Sequence, residues 1–253
     1  VCQGPVELLL AMGRFEPLRD LLRRVFRAQN ADGDWPQWFM FFERDAAVRA
    51  ADSHGDIVYW PLVALADYLV ATGDAGLLDE VEPYHLDDAS APAAGEPMPG
   101  AAGAGEALGQ VHRGAMVEPI ERHVERALAL IRRRTVGSTA LAAYGHGDWN
   151  DALQPANPTM REHLCSAWTV TLQVRMLQAW AGAWQRLGRP ERAQTMLAWR
   201  DAVMADFQRL LMPQGVVVGY ASFEQPGAPR PLLHPGDEAT GIRYSALPMV
   251  HAI

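Results

Sequence analysis

The spacing of apolar residues along the chain predicts a series of amphipathic helices separated by polar loops. Between Pro17 and Gln29, large apolar side chains recur at three- and four-residue steps, the period that places them on one face of a helix. The same spacing predicts helices over Trp60–Thr72 and Glu118–Arg134. It also predicts one long helix, or two shorter ones, over Thr159–Leu187, and a further helix over Pro190–Leu211.

Strand signals are sparse. Val216–Val218 is the run that most favours a strand, because it consists of β-branched residues alone. Ser53–Asp56 is typical of a loop, and its last residue is expected to cap the helix that follows. Consecutive helices joined by polar loops predict an all-α fold, either a toroid or a solenoid. A regular solenoid is disfavoured because no motif repeats at a fixed period.

One long segment departs from this helical pattern. Alanine, glycine and proline dominate residues 87–112, with almost no large apolar side chain. Such a segment buries too little area to offset the entropy lost on ordering, so it is predicted to be a disordered surface insertion or a lid. The chain has 253 residues and runs from Val1 to Ile253, which stands in an apolar stretch. We therefore expect a piece of a longer protein.

Composition narrows the classes of partner. A hydrophobic content of 49% predicts a substantial core, and a net charge of −8 argues against a nucleic-acid groove. No apolar run approaches the roughly 20 residues that span a bilayer, and no signal peptide is recognisable, so no membrane partner is expected. Cys2 and Cys165 form neither a metal-binding spacing nor a disulfide framework. They are compatible with a reducing, cytoplasmic location.

The candidate chemistry is concentrated in Gly147–Asp151. This stretch carries two carboxylates three residues apart, with Trp149 and Asn150 between them. Acid catalysis on a sugar needs a carboxyl group beside a flat apolar surface, which holds the ring and raises the pKa of the carboxyl group. An alternative interpretation is a polar turn that is anchored by a buried tryptophan, with Asp151 as a helix cap.

Three segments together resemble the inverting sugar phosphorylases of glycoside hydrolase family 94. Gly33–Trp38 is similar to the family's Gly-Asp-x-x-x-Trp segment, and Ser53–Asp74 is similar to its Ser-Asp-Asp segment and following helix. Gly147–Asp151 contains the family's catalytic Asp-Trp-Asn-Asp motif. The order and spacing of the three segments also agree. The string from Gln154 to Thr169 is most similar to the β-1,2-oligoglucan phosphorylase branch.

The resemblance implies both a fold and a reaction. The expected fold over residues 1–253 is an incomplete (α/α)6 barrel, a toroid like that of the six-hairpin glycosidases. The expected reaction is the reversible phosphorolysis of a β-glucoside, such as a β-1,2-oligoglucan or a cellobiose-like sugar, to α-glucose 1-phosphate. Inorganic phosphate would be a co-substrate and no cofactor or metal would be needed. Phosphate-binding residues would lie beyond Ile253, the isolated segment would be inactive, and the full-length protein could be a homodimer.

The resemblance also implies roles for individual residues. Asp151 matches the family's general acid, and Trp149 would border the sugar beside the scissile bond. Asp148 would brace the loop or bind a hydroxyl group, and Asn150 would orient the loop. Gln3 is what remains of a sugar-binding segment, with Gly4 where an Asp is usual. Three more residues are candidates for substrate binding, each with helix capping or core packing as the alternative: Asp56, Trp35 and Trp38.

Two other functions remain open from the sequence. An inverting hydrolase on the same scaffold would need a general base about 6.5–9.5 Å from Asp151, and Asp56 or Glu43 would be the candidate. A carbohydrate-binding piece without catalytic activity would need no such group. Dependence of turnover on phosphate separates the phosphorylase from the hydrolase.

Overall fold

The computed structural model describes residues 2–42, 48–50, 52–85, 116–149, 155–225 and 228–252. Within these ranges the chain is mainly helical, and its strands are three residues long. The prediction of a predominantly helical chain is confirmed to that extent. The helices are α1 (Gly4–Ala11), α2 (Phe15–Arg27), α3 (Tyr59–Thr72), α4 (Gly76–Asp79), α5 (Ile120–Arg133), α6 (Pro158–His163), α7 (Ala167–Arg186), α8 (Pro190–Leu210) and α9 (Ala246–His251). The strands are β1 (Val81–Pro83), β2 (Val117–Pro119), β3 (Leu164–Ser166), β4 (Tyr220–Ser222) and β5 (Arg230–Leu232).

The core lies where α3 packs between α2 and α7, and where α7 packs in turn against α8. Leucines on α3 are fully buried, and apolar residues occur around nearly its whole circumference. A helix that is apolar on all sides is expected where neighbours cover it from both sides. α3 ends at Gly73, whose φ of 70° is left-handed and whose N–H donates to Leu69 O over 2.8 Å.

The predicted span Thr159–Leu187 consists of two helices with a strand between them. β3 is extended because it pairs antiparallel with β4, with Ser166 opposite Tyr220. Ser166 then starts α7 as its N-cap, and its side chain accepts a hydrogen bond from Thr169 N. This arrangement matters for the site, because it fixes Ser166 at the junction of a strand and a long buried helix.

Two local predictions are wrong. Val216–Val218 is not a strand: Val218 N donates to Leu211 O over 3.0 Å, and the strand begins only at Tyr220. Asp56 does not cap α3, whose N-cap is Val58 and has no side-chain cap. The Asp56 side chain instead accepts hydrogen bonds from Trp60 and from its own backbone N–H.

The insertion predicted at 87–112 lies outside the described residues, but the elements on either side of it are described. β1 and β2 pair antiparallel, with Pro83 opposite Val117. Glu82 in β1 is 1% exposed and forms ion pairs with Arg23 Nε at 2.6 Å and with Arg27, both on α2. These ion pairs attach the paired strands to the helical core. No helix among the described residues is long and apolar enough to cross a membrane.

Candidate functional site

Two segments that are far apart in sequence cross beside the predicted catalytic motif. The first is Ser53–Asp56, and the second is the segment Gly145–Trp149, called here the acidic loop. Gly55 N donates to Gly147 O over 2.8 Å, and His54 forms an isolated antiparallel bridge with Gly145. His54 Nδ1 also lies 2.9 Å from the backbone oxygen of Asp148. The backbone of the acidic loop is therefore held from Gly145 to Asp148.

Both segments need a glycine where they cross. A Cβ atom on Gly55 would lie 2.3 Å from the Tyr144 carbonyl oxygen, much closer than any real contact. Gly145 has a φ of 64°, which is left-handed, and a Cβ atom there would lie 3.2 Å from the Gly55 Cα atom. Glycine allows this approach because it lacks a side chain.

The Asp148 side chain is fully buried and is bound by hydroxyl groups from the small sheet. Ser166 Oγ donates to Asp148 Oδ2 over 2.6 Å. The Tyr220 hydroxyl also forms a hydrogen bond with Asp148. Because Ser166 and Tyr220 face each other in the β3–β4 register, one pair of strands directs both hydroxyl groups onto this carboxylate. Hydrogen bonds of this kind stabilise a buried carboxylate in its charged form.

Asp56 lies beside this carboxylate and is 2% exposed. Burial, followed by the charge of Asp148, raises the pKa of Asp56 to about 6. A hydrogen bond from Trp60 and the proximity of His54 act in the opposite direction. Asp56 Oδ1 has no hydrogen-bond partner among the described residues. A buried carboxyl group with one unsatisfied oxygen and a raised pKa is typical of a functional site.

Aromatic side chains form a surface next to the acidic loop. Trp149 is 50% exposed, and its ring packs edge-to-face on Trp168 at a centroid distance of 5.9 Å. Trp168 also packs against Trp60 at 6.4 Å and His251 at 4.3 Å. Its buried Nε1 atom lacks a hydrogen-bond partner among the described residues. Exposed indole next to buried rings gives a flat apolar surface that a sugar ring can cover.

The Gly33–Trp38 segment is tied to the same crossing. Asp34 accepts hydrogen bonds from Ser53 Oγ at 3.2 Å and from Arg134 Nη1 at 2.5 Å. Gln37 Oε1 accepts from His54 N over 3.1 Å. His54 thus connects two segments. Its backbone N–H binds the Gly33–Trp38 segment, and its ring contacts the acidic loop. Hydrogen bonds therefore link all three segments that carry the resemblance.

The structure brings together some of the predicted site residues and separates others. Asp56 and Asp148 are neighbours, and Trp149 follows them at the surface. Trp35 belongs to the core: it is 1% exposed and its Nε1 atom donates to Val25 O over 2.8 Å. Trp38, in contrast, is 47% exposed. Gln3 is exposed at the start of α1 and is linked to the acidic loop by no hydrogen bond within the described ranges. Three candidates lie outside the described residues: Glu43, Asn150 and Asp151.

Several residues of the site were not identified from the sequence. Ser166 had a usable signal, because a serine directly before a helical pattern is typical of an N-cap. Tyr220 had none, since it lies 54 residues further along in a stretch rich in proline and glycine. Trp60 and His54 were seen only as parts of a motif.

An arginine, Arg161, lies next to the acidic loop, where its backbone oxygen accepts from Gly145 N over 2.9 Å. His146 Nε2 lies 3.4 Å from Arg161 Nη1, and burial together with this arginine lowers the pKa of His146. Among the described residues, no group of three or more His, Cys, Asp or Glu side chains is arranged to hold a metal ion. The arrangement that remains is one of carboxyl groups, indole rings and hydroxyl groups.

Comparison with known proteins gives one informative relative. No family model matches the chain. A 1,2-beta-oligoglucan phosphorylase from Listeria innocua serovar 6a is 35% identical over 255 residues, which cover 100% of this chain and 21% of the relative. The chain thus spans about a fifth of the length of this relative. The chain is related in sequence to part of a glycoside phosphorylase.

Proposed function

We propose that the chain forms part of the catalytic domain of an inverting glycoside phosphorylase. The proposed reaction is the reversible phosphorolysis of a β-glucoside, a β-1,2-oligoglucan or a cellobiose-like sugar, to α-glucose 1-phosphate. One observation carries the proposal: the segments Ser53–Asp56 and Gly145–Trp149 cross at two glycines and bury Asp56 against Asp148, the first residue of the Asp-Trp-Asn-Asp motif. The relationship to a phosphorylase over the whole chain supports the same function.

The chemistry requires one acid from the protein. In an inverting phosphorylase, phosphate attacks the anomeric carbon directly and replaces both the water and the general base of an inverting hydrolase. Asp151 is proposed as the general acid that protonates the glycosidic oxygen. It must keep its proton near neutral pH, and both burial and negative phosphate would favour the protonated form.

The remaining candidates are assigned by their surroundings. The half-exposed ring of Trp149 is proposed to support the apolar face of the sugar, and the exposed ring of Trp38 to contact it further out. Asn150 is proposed to bind sugar hydroxyl groups, with Gln3 at the edge of the subsite. The motif assigns Asp56 to the same role, but its side chain is 2% exposed, so Asp56 is proposed to act from behind the acidic loop. Buried side chains act from behind this surface: Asp148 braces the acidic loop and Trp35 supports the Gly33–Trp38 segment.

The architecture of the complete domain is part of the proposal. We infer that the helices belong to an (α/α)6 barrel whose other hairpins lie in the longer protein, as the matched share of the relative suggests. Phosphate-binding residues would come from those other parts, and no organic cofactor would be needed. A homodimer is proposed for the full-length protein.

One observation favours a second candidate, an inverting hydrolase. Asp56 has a raised pKa of about 6 and an unsatisfied oxygen, which are properties of a group that exchanges protons. If it served as a general base, its carboxyl group would have to be separated from that of Asp151 by about 6.5–9.5 Å, which leaves room for a water molecule.

The two candidates differ in their requirement for phosphate. The native polypeptide that contains this sequence is incubated with β-1,2-oligoglucan or cellobiose, with and without phosphate, and glucose 1-phosphate is measured. The expected result is phosphate-dependent release of glucose 1-phosphate, which the Asp151→Asn variant loses by several orders of magnitude. Equal turnover without phosphate would establish the hydrolase, and full activity of the variant would remove Asp151 as the acid.

A further inference from the structure

The two buried carboxyl groups of the site are not equivalent in their hydrogen bonds. Asp148 accepts one from Ser166 Oγ at 2.6 Å and forms another with the Tyr220 hydroxyl. Asp56 accepts hydrogen bonds from Trp60 and from its own backbone N–H, while its Oδ1 atom has no partner among the described residues. A buried carboxylate needs donors to replace water, and Asp148 has them. Asp56 is therefore the group that can remain buried at lower cost in its neutral form.

We propose that Ser166 and Tyr220 hold Asp148 as a carboxylate, and that this fixed charge keeps Asp56, a positioning residue behind the acidic loop, protonated up to a higher pH than an isolated aspartate. The catalytic consequence rests on the proposed function. The protonation states themselves do not depend on it, because they follow from burial and from the donors on the two side chains. Two carboxyl groups in one low-dielectric site ionise together only at a penalty, so the pair keeps one proton to a higher pH than a single carboxyl group would.

The other titratable groups around Asp56 do not reverse this assignment. Tyr59 on α3 and Tyr144 on the chain leading into the acidic loop both face it. Burial raises the pKa of each of these tyrosines, so both stay neutral. His54 on the same loop favours the ionised form of Asp56, but its ring nitrogen Nδ1 is engaged with the backbone oxygen of Asp148. Burial and Asp148 outweigh it, and the pKa of Asp56 is raised to about 6.

Ionisation of Asp56 would act on the acidic loop through Asp148. Above its pKa, a second negative charge stands against Asp148 in a buried site, where the low dielectric constant screens it poorly. Repulsion would weaken the hydrogen bond between Gly55 and Gly147 where the two segments cross. Gly147 precedes Asp151 by four residues. We expect kcat/KM to fall as the pH rises through this range, because the loop then holds the acid less well.

The protonation states are tested without any activity measurement. Infrared titration of the native polypeptide records the carbonyl stretch of protonated carboxyl groups. A band that titrates near the pKa of Asp56 is expected, absent in Asp56→Asn and shifted to lower pH by about one unit or more in Asp148→Asn, because the like charge is gone. Ser222→Ala is the matched control, since Ser222 is also a buried serine of the small sheet and should leave the band unchanged. A band that persists in Asp56→Asn, or an unshifted midpoint in Asp148→Asn, overturns the assignment.

A double-mutant cycle tests the positioning role. Asp148→Asn is expected to move the basic limb of the kcat/KM profile to lower pH in the wild-type background, and to have no such effect in the Asp56→Asn background. An equal shift in both backgrounds would mean that Asp148 acts directly on another acid, which overturns the positioning role of Asp56. If the infrared result is as expected but no phosphorolysis occurs, the proposed function fails and the assignment of the proton stands.

Discussion

Gly55 and Tyr144 approach so closely that a single methyl group on Gly55 would lie 2.3 Å from the Tyr144 carbonyl oxygen. The oxygen belongs to the backbone, so it cannot move away as the end of a flexible side chain could. The contact places the Ser53–Asp56 segment against the acidic loop and makes the geometry of the site sensitive to one position.

Gly55→Ala is therefore expected to destabilise the protein and to disturb the site. Forcing one extra carbon into a packed contact costs about 1–3 kcal/mol, which urea unfolding would measure. Gly182→Ala is the control: a Cβ atom there meets only Val70 Cγ2 at an ordinary 3.7 Å, and alanine is favoured within a helix. Equal stability of the two variants would contradict the close contact.

Ser166→Ala is expected to cost stability through two lost hydrogen bonds. The side chain donates to the buried Asp148 carboxylate and accepts from Thr169 N at the start of α7. Removing a donor to a buried charge costs about 1–3 kcal/mol, and losing an N-cap adds about 1 kcal/mol. Thermal unfolding of Ser166→Ala and Ser222→Ala provides the comparison. A loss no larger in Ser166→Ala than in the control would argue against the interaction with Asp148.

Trp149→Ala is expected to weaken substrate binding with little loss of stability. The ring is half exposed, so its removal uncovers little core, although it gives up the packing on Trp168. Loss of an aromatic contact worth about 1.4 kcal/mol would raise KM about tenfold. Steady-state kinetics with β-1,2-oligoglucan measures this, and Trp149→Phe should recover most of the affinity. An unchanged KM in Trp149→Ala would remove this residue from the sugar subsite.

Glu118 makes the stability of the β1–β2 pair depend on acid pH. The Arg126 guanidinium, and then the Tyr84 hydroxyl, bind its carboxylate and lower its pKa to about 2. A lowered pKa means that the unfolded state binds the proton first, so the contribution is complete above about pH 4.5 and is lost as the pH falls towards 2. Urea unfolding at a series of pH values should show a smaller acid-dependent loss in Glu118→Gln than in wild type. A loss of the same size in both would assign the effect to other carboxylates.

The helices of this chain follow from local information, whereas the contacts of the site do not. Four helices begin and end within two residues of the bounds that the apolar spacing predicts: α2, α3, α5 and α8. Each of these segments carries its own pattern of apolar residues, which determines the face that is buried. The β3–β4 pair joins residues 54 to 58 positions apart, and nothing in the Leu164–Ser166 segment specifies its partner. Val216–Val218 illustrates the limit: Val217 and Val218 are buried, but the ladder hydrogen bonds belong to the next segment.

The motifs in the sequence indicated where the candidate site lies. They did not indicate which groups bind its carboxyl groups. Asp56 was expected as a helix cap because capping is the commonest reason for an aspartate before a helix. In the structure a tryptophan one turn later binds it, and burial, followed by the charge of Asp148, raises its pKa. The roles of Asp148 and Ser166 depend on this packing, which no spacing of residues encodes.

The pairing of Pro83 with Val117 has a consequence for how this protein can vary in length. The two residues face each other in register, and ion pairs to α2 hold their strands in place. The two ends of the segment that joins β1 to β2 are therefore held together, whatever its length. The entropy of closing a loop grows only with the logarithm of its length, about 0.6 kcal/mol for each doubling. Related proteins can therefore gain or lose whole stretches here while the core and the site keep their geometry. A peptide tag or an entire folded module inserted between these strands should be tolerated for the same reason.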